Sequence, residues 1–510
     1  MSRAAPNKIK PVRRTKRFAA GRVLSSLRLS ALAAAVVGFS KPKGKEPGLL
    51  MIQIDGLSRH QLERALENGK TPFLSTLISQ KNYSIGSFYS GLPSSTPGVQ
   101  AELFYGVKSA VPAFGFMHRK SGEVWTMITA RASSWVQNKL SQKSGSILKG
   151  GSAYSDVYNE STAVSGFCSP DMSIRSYLRP FNPISAILLI IIHAPTIIRT
   201  AALLAIELVI ALADLARGLI QRENFLMELS FIGARVGLCV ILREAITASV
   251  CIDSNRGLPI IHCNFLGYDE QAHRRGPSSK FAHWTLTGID YAIKRMCAAA
   301  SRSKRRGYHV WIYSDHGQET TLPYSRVTGK SVQKAIHELF KKDGDVPQVI
   351  SVGPVGHVYF PRPRTGAYLQ TAAKLLVEKC SIPLVMMRSD GKKAKAWTRR
   401  GSFTLPRDAL NVLGDSHPFL REAAQDLAAL VHNEDSGDLV ICGWEPRGFP
   451  LSFPNENGAH AGPGREETHG FYLLPPAAAA KKNYLRPSDL REAALNFLKT
   501  PRSPDNAEKE

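Results

Sequence analysis

The chain is 510 residues long, 43% hydrophobic and 21% charged. This is an ordinary globular balance that excludes wholesale disorder and suits one large α/β domain with insertions, or two domains. The net charge is +25, and twelve Lys and Arg side chains from Arg3 to Lys45 precede the first acidic residue, Glu46. The seven cysteines are odd in number and contain no C-x-x-C pair, which indicates neither a zinc knuckle nor a disulfide scaffold.

Residues 1–46 form a basic leader with a short apolar segment, Leu29 to Phe39. Such a leader is a solvated tail, or a contact for anionic lipid or nucleic acid. No nucleic-acid module follows it, so lipid is favoured and no specific nucleic-acid partner is expected. The apolar run is short of the ~20 residues of a membrane span; a basic stretch before it can also be a signal peptide or an anchor.

Residues 47–180 open an α/β domain. The run Leu49 to Ile54 reads as a buried parallel strand ending at Asp55-Gly56. A helix is expected from Ser58 to Asn68, closed by Gly69.

Residues 181–252 break the rhythm. Ile184 to Leu219 is almost wholly apolar, interrupted by His193, Pro195, Arg199, Glu207, Asp214 and Arg217. Leu229 to Ile252 carries Arg235, Arg243 and Glu244. Such spacing is costly for a lipid-exposed span. The insertion is therefore a soluble helical subdomain, or helices lying on a membrane or forming a short hairpin in it.

Residues 253–510 return to the α/β pattern. Strands are expected at Leu258 to Phe265, Tyr308 to Ser314, Val346 to Val352 and Phe471 to Leu474, and helices at Phe281 to Arg302 and Gly329 to Phe340. A last helix starts at Asp489, with Glu492 completing a capping box. Alternating strands and helices predict a doubly wound, mostly parallel sheet with helices on both faces.

Five short segments hold the chemistry-bearing side chains, and in open α/β sheets sites form outside the carboxyl ends of strands. Asp55-Gly56 is, alone, an ordinary turn. Thr96, in Pro93-Ser94-Ser95-Thr96-Pro97-Gly98, precedes a helix; it is a cap or a nucleophile beside helix-start N–H groups that favour phosphate. Asp269 and His273, four apart and closed by Gly276-Pro277, form a salt-bridged loop or two ligands of one cation. Asp315-His316 after an apolar strand is costly unless paired or metal-bound. Finally His460 lies in the glycine-rich loop Asn457 to Gly464, with His469 as a competitor.

The order of these motifs resembles the alkaline phosphatase superfamily, closest to its type I phosphodiesterase and nucleotide pyrophosphatase branch. Ser314-Asp315-His316-Gly317 is the most specific match. Asp269 to Pro277 follows the family's Asp-x-x-Gly-His-x-x-Gly-Pro, with Ala272 in place of the glycine. The resemblance covers about residues 47 to 175 and 250 to 500. It implies an alkaline-phosphatase-like fold and a phosphoric ester hydrolase. Asp55, Thr96, Asp315 and His316 are expected around one divalent ion, and Asp269, His273 and His460 around a second. The family's ions are usually zinc. Two cations ~4 Å apart clamp the attacking and leaving oxygens of an in-line displacement, and Thr96 is the expected nucleophile. Gln100, Arg274 and Arg275 are the expected substrate contacts, Gln100 standing near where the family has an asparagine. The sulfatase pattern is absent.

The apolar insertion is foreign to soluble members. It makes a lipid-linked phosphate substrate and a membrane-associated location attractive. The alternatives are a phosphoethanolamine-type head-group transferase at a membrane and a non-catalytic membrane-associated protein on the same fold.

Overall fold

The computed structural model describes residues 46–172, 183–220, 236–341, 346–478 and 482–499, with isolated positions at 225, 229, 232–233 and 344. The leader and its apolar run lie outside the described residues.

Eight strands make the central sheet: β1 (Gly48–Ile54), β2 (Ser84–Tyr89), β3 (Ser152–Tyr154), β4 (Val164–Gly166), β5 (Ile260–Phe265), β6 (Tyr308–Tyr313), β7 (His469–Leu474) and β8 (Tyr484–Leu485). Their order is β8-β2-β7-β6-β1-β5-β3-β4. β1 pairs parallel with β5 and β6. Only β7 is reversed, running antiparallel to both β6 and β2.

Side chains alternate across the pleat. Leu50, Ile52 and Ile54 of β1 enter one core, with Ile261 and Cys263 of β5 and Ile312 of β6. Leu49 and Met51 enter the other, with Trp311 and Tyr313. Each core needs a cover of its own, because β1 is buried along its whole length. On the first face lie α1 (Arg59–Glu67), α4 (Arg243–Arg256) and α6 (Lys280–Ser301), through Leu62, Val250 and Ile289. On the second lie α2 (Thr96–Tyr105) and α7 (Pro487–Lys499), through Leu103 and Leu490. The doubly wound sheet is as expected.

Three local readings differ. The strand expected at Val346 to Val352 runs from Gln348 to Val352 and lies outside the main sheet. It edges a six-stranded antiparallel sheet that continues through Val355–Tyr359, Leu439–Cys442, Leu384–Arg388, Ala394–Thr398 and Gly401–Leu405. Asp269 and His273 sit on a helix, α5 (Gly267–Arg275), not in a loop. The last helix starts at Pro487, and Asp489 reaches back to accept the Arg486 N–H at 3.0 Å. Pro487 has no N–H to lose, which suits the first helical position.

In the insertion, α3 (Pro183–Ile220) is one helix of 38 residues. Among the described residues no helix is long and apolar enough to cross a membrane. Among its described side chains a cation faces inward and apolar groups face out. Arg199 turns inward to Glu244 (3.6 Å) and over the Tyr291 ring (4.5 Å), while Ile197, Ile198, Val209 and Leu212 are about half exposed or more. Glu244 is itself buried and also paired with Arg295 and Arg243. The charges that interrupt the apolar run at Arg199, Arg243 and Glu244 are thus drawn together, with three guanidiniums, counting Arg295, around one buried carboxylate. All seven cysteines are free thiols, and six are buried.

Candidate active site

Asp55 directly follows β1, Asp315 and His316 follow β6, and Asp269 lies in the first turn of the helix after β5. Their carboxylates therefore meet at the carboxyl edge of adjacent parallel strands. His273 stands four residues along α5 from Asp269, on the same face, with its Nε2 3.2 Å from Asp269 Oδ2. His460 arrives from the loop before β7, with its ring stacked on His316 at 3.8 Å between centroids.

Thr96 is the first residue of α2, not its cap. Ser95 holds the cap position and makes no side-chain capping bond. The Thr96 hydroxyl is 3.4 Å from Asp55 Oδ2 and 3.5 Å from His316 Nε2. It stands at a helix start that no side chain covers, where backbone N–H groups favour an anion.

The histidine geometry is informative. Nδ1 of His273 lies 3.0 Å from Gly458 O, Nδ1 of His460 is 2.8 Å from Ser94 O, and Nδ1 of His316 is 3.0 Å from Gly317 O. A carbonyl only accepts, so each Nδ1 carries hydrogen and each neutral ring has its lone pair on Nε2. Those Nε2 atoms face carboxylates: His460 is 3.8 Å from Asp269, and His316 is 3.3 Å from Asp315 and 3.6 Å from Asp55. Lone pairs facing carboxylate oxygens repel unless a proton or cation lies between.

The titration behaviour agrees. Asp55 is pushed well up, first by burial and then by Asp315 and Asp269. Burial also pushes Asp315 up to about 7. Neither carboxylate oxygen of Asp315 makes a hydrogen bond of ordinary geometry, although both are fully buried. Burial holds His316 down to about 4 and His460 down to about 3. His273 is raised: burial opposes this, but Asp269 and Glu456 outweigh it.

Divalent cations fit this donor set. Asp269, His273 and His460 offer three ligand atoms within 4.8 Å of one another, and so do Asp55, Asp269 and His316. The first group is the expected one. The second differs from expectation in drawing on Asp269, so that carboxylate belongs to both; Asp315 stands behind, against His316. The Nδ1-to-carbonyl bonds are the outer-shell contacts that orient imidazole ligands.

Other expected residues are placed elsewhere. Gln100, on α2, is fully buried, and its amide bonds Gln53 (3.1 Å), Asp156 (2.9 Å) and the Val157 N–H (2.8 Å). Those bonds tie α2 to the sheet, and Gln100 is not among the residues around the cavity beside Thr96. Arg274 is buried, and neither it nor Arg275 is among the residues around the cavity beside Thr96. His469 bonds Ser87 at 2.9 Å, outside the cluster.

Three side chains near the site were not foreseen. Asn264 at the end of β5 donates to Asp55 Oδ2 at 2.6 Å. Glu456 lies 3.6 Å from His273 Nδ1, and Glu270 lines the adjoining cavity. Asn264 adjoins the third motif, a signal that was available; Glu456 sits in an irregular loop with none.

No family model and no curated protein matches the sequence. Solved structures do resemble the fold, two of them as follows. Murine ectonucleotide pyrophosphatase/phosphodiesterase 5 superposes with a TM-score of 0.52 at 12% identity, over 89% of this chain and 96% of its own. Phosphonoacetate hydrolase from Sinorhizobium meliloti 1021, in complex with phosphonoformate, gives 0.50 at 13% identity, over 90% and 97%. The chain shares the fold of these two proteins, and the fold is alkaline-phosphatase-like, as expected. In this alkaline-phosphatase-type frame the five segments converge from positions 55 to 460 on one edge of the sheet.

Proposed function

We propose that this chain is a metal-dependent hydrolase of phosphate esters, with Thr96 as the nucleophile and two divalent cations as cofactors. One observation carries the reading. The Nε2 atoms of three imidazoles and the carboxylates of Asp55, Asp269 and Asp315 cluster beside a hydroxyl at a helix start with no side-chain cap bond.

Asp269, His273 and His460 would hold one cation; Asp55, Asp269 and His316 the other, with Thr96 and Asp315 beside it. When bound there, the cations supply Lewis acidity, easing deprotonation of a nearby hydroxyl and offsetting charge on phosphoryl oxygens. Oγ1 of Thr96 attacks phosphorus, the bond to the ester oxygen breaks, and the alcohol leaves with a proton. Water then attacks the phosphothreonine; its P–O bond breaks and Oγ1 regains a proton. The open N–H groups of α2 stabilise the equatorial oxygens throughout.

Thr96→Ala tests this. The variant is expected to keep its fold and bind zinc or manganese with wild-type stoichiometry, while turnover of bis(4-nitrophenyl) phosphate falls at least about a thousandfold. Wild-type turnover in this variant removes Thr96 from the mechanism. Absence of stoichiometric metal in the wild type removes the cations.

We also propose that the protein is membrane-associated, its insertion lying against an anionic lipid surface. The exposed apolar side chains of α3, the inward pairing of its charges and the acid-free basic leader support this. Wild-type protein is expected to sediment with vesicles containing phosphatidylserine, and a variant lacking residues 1–45 and carrying Ile198→Asp and Val209→Asp to stay in solution. Equal sedimentation of the two sinks this reading.

A further inference from the structure

Beside Thr96 the site opens into a cavity of about 600 Å3, within the range of pockets for molecules much larger than orthophosphate. Its walls away from the metal-ligand cluster are hydrocarbon: Phe114, Ile128, Phe167, Met172, Leu238 and Ile241. They come from four separate stretches of chain, so the apolar character is not an accident of one loop. Leu238 and Ile241 belong to the turn Gly237–Leu242, which leads into α4 and packs against α3. At the rim, Ile128, Met172 and Ile241 are about half exposed. A free protein leaves this surface in water at a cost, and an apolar ligand removes the cost.

Charge narrows the ligand further. Among the described residues, no lysine or arginine lines the cavity; its charged groups outside the expected ligand set are Glu270 and Glu456. A second phosphate or a carboxylate on the substrate would meet carboxylates with no compensating cation beyond the metals. A nucleoside polyphosphate or a carboxylated phosphonate is poorly matched to such walls.

Building on the phosphoester-hydrolase reading, we propose that the substrate is a phosphodiester with a single negative charge and one long hydrocarbon chain. Its phosphorus sits at Thr96 Oγ1 and its chain lies along Phe114, Phe167, Leu238 and Ile241. The insertion then has a role in the site: it supplies one wall of the chain-binding cleft.

The test is a series of 4-nitrophenyl alkyl phosphates from methyl to decyl, assayed below micelle formation. With nitrophenolate as leaving group, kcat/KM is expected to rise about two- to fourfold per methylene, the upper figure being full burial of each CH2. The decyl-to-methyl ratio is expected to fall at least about tenfold in Ile241→Asp and in Leu238→Asp. Ile241 is exposed enough for its variant to fold, and thermal melts check both. Binding of methyl and decyl phosphonate, measured by calorimetry, gives a readout independent of turnover. Thr96-dependent turnover that is flat along the series, or a ratio unchanged in both variants, overturns the chain-binding inference and leaves the hydrolase standing. Chain-length-dependent phosphonate binding without turnover supports the cleft and overturns the hydrolase. Neither turnover nor chain-length-dependent binding overturns both.

Discussion

At Gly56 the backbone has φ +69°, and a Cβ placed there would lie 2.2 Å from Asp269 Oδ1. The turn after β1 is thus one that L side chains rarely adopt, and its missing side chain is the space Asp269 occupies. The Asp55-Gly56 pair reads in sequence as an ordinary turn; in the molecule its glycine makes room for the carboxylate common to both candidate ligand groups. Gly56→Ala is expected to displace Asp269 and weaken metal binding about ten- to a hundredfold, the range seen when supporting contacts of metal ligands are lost. Chelator competition measures this. Unaltered affinity would mean that Asp269 is not a shared ligand. Gln100 is the opposite case. Its type and position suggested a phosphate contact, but its neighbours Gln53 and Asp156 lie far from it in sequence, and only the fold shows that they take up its amide.

Among elements, those with strong local signals were legible. The helix expected at Ser58 to Asn68 spans Arg59–Glu67, with Ser58 accepting the Gln61 N–H as its cap. The strand and Asp-His pair at Tyr308 to His316 also fall where the apolar run placed them. The six-stranded antiparallel sheet was not legible beyond one strand. Its strands are four or five residues long, and windows that short do not separate strand from loop by periodicity. The start of α7 was misplaced because its anchor is tertiary. Arg486, just before it, grips Glu102 of α2 with two bonds of 2.8 and 3.0 Å, a bidentate pair that fixes one helix against the other. Strand direction was equally hidden. Nothing in Phe471 to Leu474 shows that this strand alone runs backwards.

Across the whole molecule, pH acts on stability through two buried histidines outside the candidate ligand set, His357 and His417. Nε2 of His357 donates to Pro112 O (3.3 Å) while Nδ1 accepts the Gly437 N–H (3.2 Å). His417 bonds Pro463 O (2.9 Å) and the Phe419 N–H (3.1 Å) in the same way. Both rings are satisfied only when neutral, and burial lowers each to about 4. The unfolded chain titrates near 6.5 and so takes up protons first. The stabilisation is complete above about pH 6.5 and is lost as pH falls from there through about 4. It amounts to on the order of 3 kcal/mol per histidine. Urea midpoints between pH 7.5 and 4.5 measure it; His357→Gln with His417→Gln is expected to flatten the slope, and an unchanged slope assigns the effect to other groups.

The reversed strand β7 lies between β2 and β6, yet it is the second-last strand of the sheet to leave the ribosome. Until residues 469–474 emerge, the growing chain has one five-stranded sheet ending at β6, while β2, whose two neighbours in this fold are β7 and β8, has no partner. The loop that brings His460 comes with the closing strand. Synthesis therefore completes the sheet and the candidate ligand cluster in the same late stretch, and a nascent chain stalled before that point carries neither a continuous sheet nor the assembled cluster.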